Sequence, residues 1–184
     1  MPTPNNALGY AIVDGEGEGA QFRGASLVVD LRGIPMDFRY TDPIRPSRLE
    51  RILYGNALDV YLREELILQS LLGAVETKPQ LWICSELDLL VPLRAAGKVK
   101  AVCLAQTSHA PLEAPGHTEP MGDGPDILLQ ADAVSAPLRA TFPPSSRPED
   151  VQATVALLVE AAKTMELLEP FGRIQKALLS LGEE

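Results

Sequence analysis

Three arginines are the first residues in this chain whose type and spacing suggest chemistry. Arg45, Arg48 and Arg51 recur at i, i+3 and i+6, so on a helix they share a face, with Arg39 a short way upstream. A guanidinium presents a planar fork of donors that matches carboxylate or phosphate, so the three form a candidate anion- or partner-binding patch. The plainer alternative is a solvated face, partly neutralised by Asp42 and Glu50.

Other candidates are weaker in pattern. Asp14 closes an apolar run and precedes Gly15, a position at which aspartate commonly forms turns. Glu50 follows Ser47 by the spacing of a capping box, so its local task is to close a helix N-terminus. Cys84, Cys103, His109 and His117 are potential zinc ligands, but no CxxC-type spacing joins them. The cysteines fall in apolar strand-like runs and the histidines in a Pro/Gly-rich stretch. Buried thiols and surface histidines are expected, and no structural metal. The Gly15–Gly19 segment alternates glycine with Glu16 and Glu18. Its carboxylates repel phosphate and a strand follows it, so a hairpin loop is expected rather than a phosphate cradle. Two histidines and no Gly-x-Ser-x-Gly segment leave no hydrolase triad.

The elements that would carry these residues follow from apolar periodicity. Runs at 8–13, 22–30 and 36–40 read as three antiparallel strands joined by short turns. A helix starts at the Ser47/Glu50 box, breaks near Gly55 and resumes over 57–75. There Leu58, Tyr61, Leu62, Leu66, Leu68, Leu71, Leu72 and Val75 cover more than one stripe. Leu81–Cys84 and 99–104 read as buried parallel strands around a helix at 87–96, a βαβ unit. Residues 106–126 hold both histidines, four prolines and three glycines and read as a long loop. Residues 127–142 read as a hairpin. A second capping box, Ser146 with Glu149, is expected to open a helix over 148–168, and Phe171, Ile174, Leu178 and Leu181 line a final one. The expectation is therefore an α/β fold: a mixed sheet, antiparallel then parallel, with flanking helices and a C-terminal hairpin plus helices. It divides into an α/β core (1–105), a loop (106–126) and an extension packed on the core (127–184).

Composition bounds the function. The 184 residues carry a formal net charge of −9 and are 46% hydrophobic, with mean hydropathy +0.03. Material for a core is ample and global disorder is excluded. Such an acidic chain gains nothing from the general field that draws proteins to nucleic acid or anionic lipid, so nucleic acid would need a local patch. No apolar window is long enough to span a membrane, and Met1–Asn6 lacks the order of a secretion signal, so a cytoplasmic protein is expected.

Three short stretches resemble ribonuclease H-type nucleases: Val13-Asp14-Gly15 at the end of the first strand, Arg48-Leu49-Glu50 at the first helix, and Glu86 after Ile83-Cys84-Ser85. The element order of roughly the first 105 residues is similar too. The resemblance implies a ribonuclease H-like fold with Asp14, Glu50 and Glu86 as carboxylates that hold two Mg²⁺ ions for phosphoryl transfer. Glu86 stands where that family carries aspartate, and no further acidic residue of the set is evident on a later helix. The chain is accordingly read as a non-catalytic, protein-binding accessory or assembly subunit without cofactor. Its partner would be another copy or a different protein, met through Leu66, Phe171, Ile174 and Leu178. The alternative is a metal-dependent nuclease or related phosphoryl-transfer enzyme using Asp14, Glu50 and Glu86 with Mg²⁺.

Overall fold

The computed structural model describes residues 6–15 and 19–182, so residues 16–18, where a hairpin loop is expected from the sequence, lie outside the described residues. Eight strands form one mixed sheet in the order β3-β2-β1-β4-β5-β8-β7-β6. Strands β1 (Ala7–Asp14), β2 (Arg23–Asp30) and β3 (Pro35–Tyr40) are antiparallel, as the alternating runs and short turns dictate. Strands β4 (Leu81–Cys84) and β5 (Lys100–Ala105) are parallel to each other, and β4 is parallel to β1. The helix between them, α4 (Leu90–Gly97), ends on Lys98 in the left-handed conformation. The expected fold class is present.

Beyond β5 the chain adds β6 (Thr118–Pro120), β7 (Ile127–Leu129) and β8 (Leu138–Thr141), all antiparallel, with β8 against β5. The hairpin at 127–142 is as expected. β6 was not foreseen, since its exposed Thr-Glu-Pro run carries no apolar alternation.

Alternation along β1 splits the core. Leu8, Tyr10 and Ile12 face α5 (Pro148–Ala162) and α6 (Glu169–Gly182). Ala7, Ala11 and Val13 face the other layer, formed by α4 and a composite helix of α2 (Leu58–Val60), a π-helical stretch (Tyr61–Leu68) and α3 (Gln69–Ala74). In the π stretch the Gln69 N–H reaches back to the Glu64 carbonyl, five residues away. Close approach of this helix to β2 requires Gly24, where a Cβ would stand 2.5 Å from Ile67 Cγ2.

Two sequence expectations are corrected here. The second capping box does not form. Pro148 opens α5 without needing an N–H partner, Arg147 is the N-cap, and the Ser146 hydroxyl donates to the Pro143 carbonyl. The tail is not a free apolar surface either. Phe171, Ile174 and Leu178 are buried against the chain's own sheet and α5, and only Leu66 of the expected interface is exposed, at 39%. A two-layer cover on an eight-stranded sheet hides more apolar surface than a 105-residue core would. No helix among the described residues is long and apolar enough to cross a membrane.

Candidate nucleic-acid site

The first hairpin and the start of the helical layer are tied together at the edge where β1 ends. Phe22 and Ile44 exchange backbone hydrogen bonds of 2.8 and 2.7 Å, which brings the chain after β3 back beside the start of β2. There α1 (Arg48–Tyr54) begins. Ser47 caps it with its hydroxyl on the Glu50 N–H at 3.1 Å, and Glu50 Oε2 accepts the Ser47 N–H at 2.8 Å. The capping box read from sequence is complete. It commits the Glu50 carboxylate to its own helix.

Asp14 and Glu86 come to one edge. The parallel β1–β4 ladder ends at the Tyr10/Ile83 pair; Asp14 closes β1, and Glu86 follows the end of β4 by two residues. The carboxylates do not share an ion-binding point. Asp14 Oδ2 lies 3.8 Å from Arg23 Nε. Glu86 Oε2 accepts from Arg63 Nη2 at 2.8 Å, and Asp88 Oδ2 lies 3.6 Å from the same nitrogen. The other arm of Arg63 donates to the Gly15 carbonyl at 2.8 Å, and this side chain is only 11% exposed. Arg63, carried by the π stretch, thus bridges the exits of β1 and β4.

The arginine patch sits alongside. Arg45 donates to the Gln21 side chain at 3.0 Å and Arg51 to the Ala20 carbonyl at 3.5 Å, both on the far arm of the same hairpin loop, while Arg48 is exposed. Asp14, Glu50 and Glu86 thus lie in one region, but only Asp14 and Glu86 share the strand edge. Arg63, Arg23 and Asp88 were not singled out from sequence. Arg63 is followed by Glu64 and Glu65 and has the look of a solvated helix face.

Among solved structures, endonuclease V proteins share this architecture. Endonuclease V from Streptomyces avermitilis superposes with a TM-score of 0.60 at 14% identity over 99% of this chain and 85% of that one. A Ciona intestinalis endonuclease V, in complex with a 23mer DNA containing an inosine followed by a ribo-adenosine, gives 0.55 at 12% over 93% and 83%. Endonuclease V from Bacillus subtilis gives 0.50 at 11% over 83% and 70%. This chain shares their fold. No family model and no curated protein matches it. The ribonuclease H-like resemblance holds at the level of fold. The expectation of a non-catalytic, protein-binding complex subunit is corrected. The chain shares its fold with endonuclease V structures, and most of the apolar surface that suggested a partner is buried within the chain.

The metal implied by that fold can be tested against the residues present. A two-ion site needs several hard oxygen ligands free to converge. Here Glu50 is held by its helix, Asp14 is beside Arg23, and Glu86 and Asp88 are bound by Arg63. Among the described residues no group of three or more His, Cys, Asp or Glu is placed to hold a metal. The arrangement does not fit the ions.

Cys84 and Cys103 are direct neighbours across the β4–β5 ladder, both buried. The hydrogen bond between the thiols, together with burial, keeps Cys84 protonated, and the same bond lowers Cys103. His117 lies 3.6 Å from Glu119 on β6. A cavity of about 300 Å³ lies away from these groups, between the β7–β8 turn and the α5–α6 turn, lined by Thr107, Asp132, Leu138, Met165 and Glu166.

Proposed function

We propose that the chain acts on nucleic acid as a nuclease-type protein, with the phosphodiester at the edge where β1 and β4 end. The observation that carries this is the juxtaposition there of Asp14, Glu86 and Asp88 with the Arg63 guanidinium, on a fold shared with endonuclease V structures. A carboxylate at such an edge can take a proton from an attacking water, and a guanidinium can stabilise charge on phosphoryl oxygens. Arg48 and Arg51 on α1, with Arg45 just before its N-cap, form a patch beside it that suits the sugar–phosphate backbone, which fixes register rather than sequence. Against a net charge of −9, binding through so local a patch is weak and strongly salt-dependent.

The test is fluorescence anisotropy with single-stranded, duplex and hybrid oligonucleotides, followed by cleavage assays with Mg²⁺, with Mn²⁺ and with chelator. The expected result is binding that falls with salt, and strand cleavage that disappears in Asp14→Asn. Absence of both binding and cleavage on every substrate would overturn the proposal.

A further inference from the structure

The disagreement between the fold's ions and this chain's residues has a specific cause. Glu86 Oε2 and Asp88 Oδ2 both converge on one atom, Arg63 Nη2, at 2.8 and 3.6 Å. The neighbouring Nη1 is fixed by the Gly15 carbonyl at 2.8 Å. Two carboxylates on Nη2 and a main-chain carbonyl on the adjoining Nη1 are hard oxygen donors of the kind a divalent ion takes. In this chain they meet one guanidinium, carried by a residue 23 positions before Glu86 and 48 after Gly15.

We propose that Arg63 is the resident cation of this edge and competes with divalent metal for Glu86, Asp88 and the Gly15 carbonyl. The proposal relies on the nuclease-type reading only in treating this edge as the functional one. The Arg63 side chain is only 11% exposed, so displacement by an ion would leave a guanidinium without partners in a poorly hydrated place. Removing it leaves Glu86 and Asp88, 48% and 70% exposed, without their shared counter-charge, which favours uptake of a cation in its stead.

The experiment is a Mn²⁺ titration without nucleic acid, read by electron paramagnetic resonance and by the Mn²⁺-dependent rise in melting temperature. It compares the parent, Arg63→Ala, Arg63→Lys and the double variant Arg63→Ala/Glu86→Gln. Arg63→Ala is expected to bind Mn²⁺ at least about tenfold more tightly than the parent and to gain thermal stability with the ion. Arg63→Lys, which keeps the charge, should stay near the parent, and the double variant should lose the gain. Arg63→Met, which keeps the apolar stem, carries the test if Arg63→Ala does not fold. Tight Mn²⁺ binding by the parent that Glu86→Gln abolishes would overturn the proposal. So would equal binding by the parent and the uncharged variants, or an equal gain in Arg63→Lys. Because no substrate is present, these outcomes are independent of whether the chain cleaves nucleic acid.

Discussion

The phenol of Tyr10 donates to the main-chain carbonyl of Leu167 at 2.7 Å, joining the middle of β1 to the turn between α5 and α6 across 157 residues of sequence. Phe171 stands edge-on to the same ring, with centroids 5.1 Å apart and planes at 85°. One side chain thus fastens the C-terminal helices to the strand that ends in Asp14.

Tyr10→Phe keeps the ring and leaves the Leu167 carbonyl without its donor. The expected cost is about 1–3 kcal/mol in urea unfolding. Burial, opposed by Arg173 and reinforced by Glu169, raises the Tyr10 pKa above its ordinary value. Because the folded value is the higher one, its contribution is complete below about pH 10 and is lost as pH rises beyond. The melting temperature of the parent should therefore fall more steeply above pH 10 than that of Tyr10→Phe; parallel curves would refute this.

Asp37 gives the opposite sign. Burial pushes its carboxyl up, but hydrogen bonds from Arg39 and from the N–H groups of Glu76 and Thr77 outweigh this and hold it below the ordinary carboxylate range. Its contribution is present above the unfolded value of about 3.9 and is lost as pH falls through the lowered folded one. Asp37→Asn should cost about 1–3 kcal/mol at neutral pH and shrink the gap between variant and parent in acid. Circular dichroism melts from pH 7 down to pH 2 check both.

Gly24→Ala should destabilise by about 1–3 kcal/mol, because the new methyl meets Ile67 and Leu71 side chains at 2.5 and 2.9 Å and the Ile12 carbonyl at 3.1 Å. Gly73→Ala, on α3 with nothing within 4 Å, is the contrasting case and should gain up to about 1 kcal/mol by restricting the unfolded chain. Paired guanidinium chloride unfolding curves measure the difference.

Arg48→Ala and Arg45→Ala should each reduce the salt slope of oligonucleotide binding by about 1, with little dependence on sequence. The readout is anisotropy at several salt concentrations. Unchanged slopes would place the backbone elsewhere on the molecule.

Much of this was legible in the residues. Val and Ile runs bounded by turns gave the strands, and Leu81–Cys84, α4 and β5 gave the parallel unit, because side-chain period and capping act within a few residues. The Ser47/Glu50 box was equally local and formed. Ser146/Glu149 had the same spacing but failed, because Arg147, not Ser146, is the N-cap of the helix that Pro148 opens. The partner interface was misjudged because apolar content does not say what covers it. Phe171, Ile174 and Leu178 found their cover on β1 and β2.

The sequence by itself determined the order of elements through β5, the acidic balance and the placing of Asp14 at the end of β1 and Glu86 just after β4, since each depends on neighbours along the chain. Tertiary structure alone decided what those carboxylates meet. Electrostatic interaction depends on distance through space. The Arg63 fork reaches Gly15 and Glu86 only because packing lays the π stretch across the exits of β1 and β4.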